Sequence, residues 1–257
     1  MHKETMNSQG ELIYTYSSCL NPYDVDMHRK ATLTGINQLA DRAAFDHIRK
    51  LGFSTEFMLD QNLAWILYQK DISIAKDLVL GKEYRIQSII AGRDSLFTYR
   101  DFIILDPEGQ VCIEISSAWL LFDLLKRSML RQYPDVIEDL IKRGNQLQSL
   151  ARPHKLKAPR FKQADFQSTH RVNYMDLDAN KHISNQSLIR KLSELLPYDL
   201  MEEKRISAAR LQFKSEAFLG DVLGFQAKLH DNDIVELICA SQSKTIVFGL
   251  FEFEKRF

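Results

Sequence analysis

Asp176, Asp178, Asn180 and His182 stand at alternate positions of the run Tyr174-Met175-Asp176-Leu177-Asp178-Ala179-Asn180-Lys181-His182-Ile183-Ser184-Asn185. Two carboxylates, an amide and an imidazole at that density can deprotonate water, attack a carbonyl, bind a cation or close a turn. On an extended backbone the alternation would send all four to one face. Directly afterwards Leu188, Ile189, Leu192, Leu195 and Leu196 form an apolar stripe at helical spacing, closed by Pro197. A polar cluster thus leads into a helix start, where unpaired backbone N–H groups can hold a developing negative charge.

Other uses of such a cluster fit less well. Asp176, Asp178 and Asn180 match the first three ligand positions of a calcium loop, but its glycine position holds Lys181 and its final glutamate position Ser187. No second His or Cys lies nearby at helical spacing for a transition metal, so neither metal nor cofactor is expected. The chain has no GxSxG elbow, P-loop or GxGxxG. The bland alternative is that Asp178 or Asn180 merely closes an Asx turn before the helix.

Elements that must position the cluster follow from patterning. Residues 11–16 read as a strand, and from Thr32 the positions Leu33, Ile36, Leu39, Ala40, Ala43, Ala44 and Ile48 mark a long amphipathic helix stopping at Gly52. Its broad apolar face suits packing into a sheet. Strand patterns occupy 63–76, 81–91, 95–105 and 111–122, with turns at Gly92-Arg93-Asp94 and Asp106-Pro107-Glu108-Gly109, and 134–150 reads as a helix. The basic run from Arg152 to Lys162, broken by Pro153 and Pro159, is a linker whose charge is read as solvation in preference to contact with an acidic partner. Beyond it lie a strand at 166–173, the polar cluster, the helix, and strands at 205–217, 221–230, 233–241 and 244–254.

The same order occurs twice, which points to an internal duplication. Asp24-Val25-Asp26-Met27-His28 parallels Asp176-Leu177-Asp178-Ala179-Asn180, and Leu80-Gly81-Lys82 parallels Leu219-Gly220-Asp221, placing Asp77 opposite Glu216. His28 and Lys30 replace Asn180 and His182, so only the second copy carries the full cluster.

Bulk properties narrow the class. Lys plus Arg equals Asp plus Glu at 34 each, so no overall field selects nucleic acid or an anionic membrane. No apolar run approaches the ~18 residues that would cross a bilayer. The opening MHKETMNSQGEL lacks the features of a secretory or transit leader, and Cys19, Cys112 and Cys239 are odd in number and far apart. A cytoplasmic protein with no membrane span is expected.

The run Asp176-Leu177-Asp178-x-Asn180-x-His182-x-x-Asn185, with Glu216 thirty-four residues after His182 in Leu211-Gln212-Phe213-Lys214-Ser215-Glu216-Ala217, resembles the signature of the acyl-acyl carrier protein (ACP) thioesterases of plants and bacteria. The resemblance extends through Lys30–Gly52 and the duplicated order. It implies an α+β double hotdog, in which an antiparallel sheet wraps a long helix in each half. The expected division is an N-terminal hotdog at 1–150 that binds the acyl chain, a linker at 151–164, and a catalytic C-terminal hotdog at 165–257. Asp178, Asn180, His182 and Glu216 would be the catalytic groups, ACP the partner, and a homodimer is left open. Plant members often carry Cys where this chain has Ala217, which argues against an essential thiol. Two routes stand open: water activated by Glu216 with His182 while Asp178 orients it, or attack by Asp178 itself to give an acyl anhydride. Trp65, Phe102 and Trp119 are candidates for lining the acyl pocket. Acyl-CoA hydrolysis, dehydration of hydroxyacyl thioesters and non-catalytic acyl binding are the competing functions.

Overall fold

The computed structural model describes residues 4–5, 12–147 and 149–256, and the chain divides into two compact units, Met1–Pro153 and His154–Phe257. Glu11, the first residue of the first expected strand, lies outside the described residues.

The first unit contains β1 (Glu4–Thr5), β2 (Ile13–Cys19), α1 (Leu33–Lys50), α2 (Thr55–Asp60), β3 (Leu63–Ile74), β4 (Glu83–Arg93), β5 (Thr98–Leu105), β6 (Val111–Asp123), β7 (Ser128–Met129) and α3 (Asp135–Gly144). Its strands pair antiparallel in the order β1-β2-β4-β5-β6-β3, with β7 on β6. Thr32 starts α1 by accepting the Gly35 N–H at 3.0 Å, and His47, Arg49 and Lys50 in its last turn oppose the negative end of the helix dipole. Leu33, Ile36, Ala40, Ala43 and His47 form its buried face against β2 and β4, and the Tyr16 hydroxyl donates to Leu39 O at 2.9 Å. A Cβ at Gly35 would come within 2.2 Å of Asp24 O, so glycine lets α1 start hard against the turn before it.

In the second unit are β8 (Phe166–Arg171), α4 (Asn185–Glu194), α5 (Tyr198–Glu203), β9 (Lys204–Phe213), β10 (Val222–Leu229), β11 (Ile234–Ala240) and β12 (Thr245–Lys255). The strands run antiparallel in the order β9-β12-β11-β10-β8, and α4 packs on β11 through Leu188, Ile189 and Leu192. Gly249 of β12 sits where a Cβ would lie 1.9 Å from Arg210 O, which keeps β12 close to β9. Among the described residues no helix is long and apolar enough to cross a membrane.

The patterned elements form largely where expected, with three local differences. Two short helices, α2 and α5, were not anticipated. Both are six residues long, too short to show a hydrophobic period. The apolar stripe beginning at Leu188 does not run unbroken to Pro197: α4 ends at Glu194 and Pro197 instead caps α5. Finally, α3 is shorter than the expected 134–150, ending at Gly144.

Residues 151–164 hold no helix or strand. Arg152 is fixed to the first unit, stacking on the Tyr99 ring at 4.1 Å and donating to Ala91 O at 2.7 Å, whereas Lys155, Lys157, Arg160 and Lys162 are exposed.

Candidate active site

The polar run is not an extended segment, which corrects the expectation that Asp176, Asp178, Asn180 and His182 share one face. Tyr174–Asp176 form one turn of 3-10 helix, and Lys181 adopts a left-handed backbone with φ 65°. Short polar residues favour such turns over a ladder because their side chains satisfy the backbone locally. Asp176 turns inward and is 1% exposed. Its Oδ2 accepts the Asn173 N–H at 2.9 Å and lies 2.6 Å from His170 Nε2, and its Oδ1 is 3.5 Å from Arg190. Burial pushes the Asp176 carboxyl up, but the Asn173 and His170 hydrogen bonds, with the charges of His170 and Lys191, hold it below its ordinary value. Asp176 is therefore the brace beneath the loop.

Above that brace Leu177 bridges Ile183, and the Asp178 N–H donates to His182 O at 2.9 Å. Asp178 Oδ1 accepts two backbone donors, Asn180 N–H at 2.8 Å and His182 N–H at 3.3 Å. Asp178 Oδ2 makes no hydrogen bond among the described residues, and the side chains of Asp178 and Asn180 are exposed.

Glu216 reaches the loop because β9 stops early. Lys214 leaves the strand by donating to Ile246 O at 2.8 Å, and the chain then crosses the loop, Ile183 N–H donating to Ala217 O at 2.9 Å and His182 bridging Phe218. These contacts leave His182 Nδ1 3.4 Å from Glu216 Oε1, with the imidazole edge-on to the Phe218 ring at 4.9 Å. The two side chains are 26% and 40% exposed, so water reaches the pair. A carboxylate beside one imidazole nitrogen orients the ring and leaves the other nitrogen to face water, the arrangement of a general base. At the adjoining start of α4, Ser184 Oγ accepts the Ser187 N–H at 3.0 Å, so one first-turn donor is already engaged.

The first unit repeats this loop nearly bond for bond. Pro22–Asp24 form a 3-10 turn and Asp24 Oδ2 accepts the Asn21 N–H at 2.8 Å. Asp26 Oδ1 accepts the His28 and Lys30 N–H groups at 2.9 and 3.0 Å, and Arg29 has φ 60°. Ala31 N–H donates to Leu78 O at 2.9 Å, and Lys30 bridges Val79. The turn-forming use of Asp178 is thus a property of the repeated fold. What distinguishes the second copy is Asn180, His182 and Glu216 where the first has His28, Lys30 and Asp77.

The first unit also holds an apolar cavity of about 100 Å³, lined by residues that include Trp65, Trp119, Ile90 and Ile141. Trp65 and Trp119, two of the three aromatic residues named as candidates for an acyl pocket, line this cavity. Phe102 does not line it: the residue is wholly buried, with Lys70 Nζ 6.0 Å from its ring. Sequence reasoning also missed His170, Arg190 and Phe218. They touch the loop only through folding, and none stands in the local motif.

Residues 11–140 match the acyl-ACP thioesterase N-terminal domain and residues 160–247 the acyl-ACP thioesterase C-terminal domain. The chain belongs to the acyl-ACP thioesterase family. Similar proteins include the chloroplastic palmitoyl-acyl carrier protein thioesterase of Arabidopsis thaliana, 23% identical over 90% of this chain and 59% of that protein. The chain spans about three-fifths of the length of the first curated relatives it matches. A crystal structure of an acyl-ACP thioesterase from Bacteroides thetaiotaomicron superposes with a TM-score of 0.85 at 22% identity, covering 96% of this chain and 100% of that one. The 12:0-ACP thioesterase from Umbellularia californica gives 0.87 at 17% identity, covering 95% and 98%. These likenesses bear out the α+β double hotdog fold, and the acyl-ACP thioesterase family accounts for the paired domains.

Proposed function

We propose that this protein hydrolyses the thioester of a fatty acyl group carried on ACP, releasing free fatty acid and holo-ACP. The observation that carries the reading is the His182–Glu216 pair, mounted on a loop that the first unit reproduces without either residue. The first-unit loop makes the same backbone bonds with Lys30 and Asp77 in those places, which supports a role for the pair other than forming the turn, and a general base needs such a water-accessible arrangement.

In this reading Glu216 and His182 take a proton from water as its oxygen bonds to the thioester carbon. Asp178 Oδ2, which the turn leaves unused, orients that water, and the Asn180 amide donates to the oxyanion. Collapse of the tetrahedral adduct breaks the C–S bond, and the proton held by the pair passes to the departing sulfur. The first-unit cavity is the candidate site for the acyl chain, and the mechanism uses no metal or cofactor. The exposed lysines and arginine of residues 155–162 suit an acidic carrier protein, and the three unpaired cysteines suit a reducing, cytoplasmic setting.

Matched acyl-ACP and acyl-CoA substrates separate the carriers. ACP thioesters are expected to be the better substrates, with an advantage that shrinks as salt rises. Glu216→Ala should lower turnover at least ~100-fold on either carrier without loss of fold. Equal rates on both carriers at every salt concentration would remove ACP as the preferred partner. Near-normal turnover by Glu216→Ala would remove the site assignment.

A further inference from the structure

The apolar cavity of the first unit contains one charged residue. Its wall is formed by Ala44 and Ile48 of α1 and Leu51 just after it, by Trp65 and Trp119, and by α3, yet Arg100 of β5 projects among them. One guanidinium nitrogen, Nη1, donates to Ser88 Oγ at 2.7 Å and lies 3.3 Å from His47 Nδ1. His47 is buried and stacks on Tyr14 at 5.8 Å, so both polar neighbours are held in place. Among the described residues no carboxylate pairs with Arg100, and its other nitrogens have no hydrogen-bond partner. Burial alone pushes the guanidinium down to about 10, so it remains charged at neutral pH. A guanidinium offers five N–H donors, and because Arg100 is only part-buried its remaining donors are open to water, so a ligand that displaces that water must bring an acceptor of its own.

We propose that Arg100 makes this cavity a subsite for acyl chains bearing an oxygen function away from the thioester, a distal carboxylate matching it best and a hydroxyl next. The inference rests on the acyl-thioester reading of the cavity. The carboxylate supplies both the missing charge and two acceptors in the plane of the guanidinium fork. A plain hydrocarbon chain would instead press methylene groups against unsatisfied donors. The volume of about 100 Å³ is below the ~300 Å³ at which ligand pockets usually begin, so the cavity suits a chain segment and its polar end. Ser88 and His47 serve as positioning residues that hold the fork toward the cavity.

The test is calorimetric binding of methyl decanoate, methyl ω-hydroxydecanoate and monomethyl decanedioate to the full chain, with wild type, Arg100→Met and Arg100→Lys. The esters mimic the thioester end, so a free carboxylate is present only distally. Wild type is expected to bind the distal acid roughly tenfold more tightly than the plain ester, as a charge-assisted hydrogen bond would give. Arg100→Met should lose that preference and gain affinity for the plain ester. Arg100→Lys should keep a reduced preference for the acid, which maintains the test if Arg100→Met does not fold. An unchanged preference in both variants, or wild type favouring the plain ester, overturns the proposal, the second outcome meaning that water satisfies Arg100. Binding is read without turnover, so absence of acyl-ACP hydrolysis refutes the thioesterase reading, while a wild type without the acid preference, or a preference that both variants keep unchanged, refutes only this one.

Discussion

Asp178 has two separable tasks, and the two oxygens of its carboxylate tell them apart. Oδ1 holds the turn through the Asn180 and His182 N–H groups, and Oδ2 is left over. Asp178→Ala removes both. By analogy with a lost helix cap, where one side-chain oxygen satisfies nearby N–H groups, the stability cost is about 1 kcal/mol. Asp26→Ala removes the same pair of bonds in the first unit and should cost a similar amount. Asp178→Asn keeps an acceptor at Oδ1 and converts Oδ2 to a donor, so its stability should stay within about 0.5 kcal/mol of wild type. The catalytic consequences run differently. Loss of the charge at Oδ2 should lower kcat at least ~100-fold, which is about 2.7 kcal/mol of barrier. Destabilisation cannot mimic this, because 1 kcal/mol multiplies the unfolded population by only about fivefold in a domain stable by roughly 5–15 kcal/mol. Urea unfolding gives the first quantity and steady-state hydrolysis of an acyl-ACP the second. The expected pattern is stability lost in Asp26→Ala and Asp178→Ala, with activity lost in Asp178→Ala and Asp178→Asn. Asp178→Asn turning over within threefold of wild type would refute the charge argument and leave Asp178 a turn-former only.

Asp176 links the loop to pH. Its folded carboxyl is held below the model-compound value of 3.8, so its contribution to stability is present above that value and lost as pH falls through the lower folded one. Stability curves of wild type and Asp176→Asn, separated at neutral pH, should draw together as pH falls below 3.8; a gap that stays constant throughout the acid range would contradict the assignment. The cysteines give an independent check of the core. Burial raises the Cys112 thiol and pushes Cys239 up to about 12, whereas Cys19 is exposed. A disulfide reagent should therefore label Cys19 at once and the others only as the chain unfolds. Rapid labelling of Cys239 in the native protein would show that its surroundings in β11 are wrongly described.

Elements with a clear period were legible in the residues. Leu33 to Ile48 specify α1 because their spacing buries one stripe, and the strand patterns over β3–β6 and β9–β12 specify the antiparallel strands of each unit. The duplication was legible as well, since the Asp24–Lys30 and Asp176–His182 runs encode the same turn through the same aspartate-to-backbone bonds. Local sequence could not show which way each polar side chain points. The alternation suggested one face, but the energetic demand to satisfy backbone donors in a tight loop outweighs alternation, which governs only paired strands. The loop therefore turns Asp176 into the interior, where His170 and Arg190 meet it across β8 and α4. His182 and Glu216 are brought together by the early end of β9 and the backbone bridge to Phe218, long-range contacts with no local pattern. Arg100 is the same case: in sequence it is one more charge in a strand, and only the packing of α1, α3 and the sheet around it leaves its donors facing an apolar cavity. Composition and period thus determined which elements form, and tertiary packing decided which polar groups are consumed by the fold and which remain for chemistry.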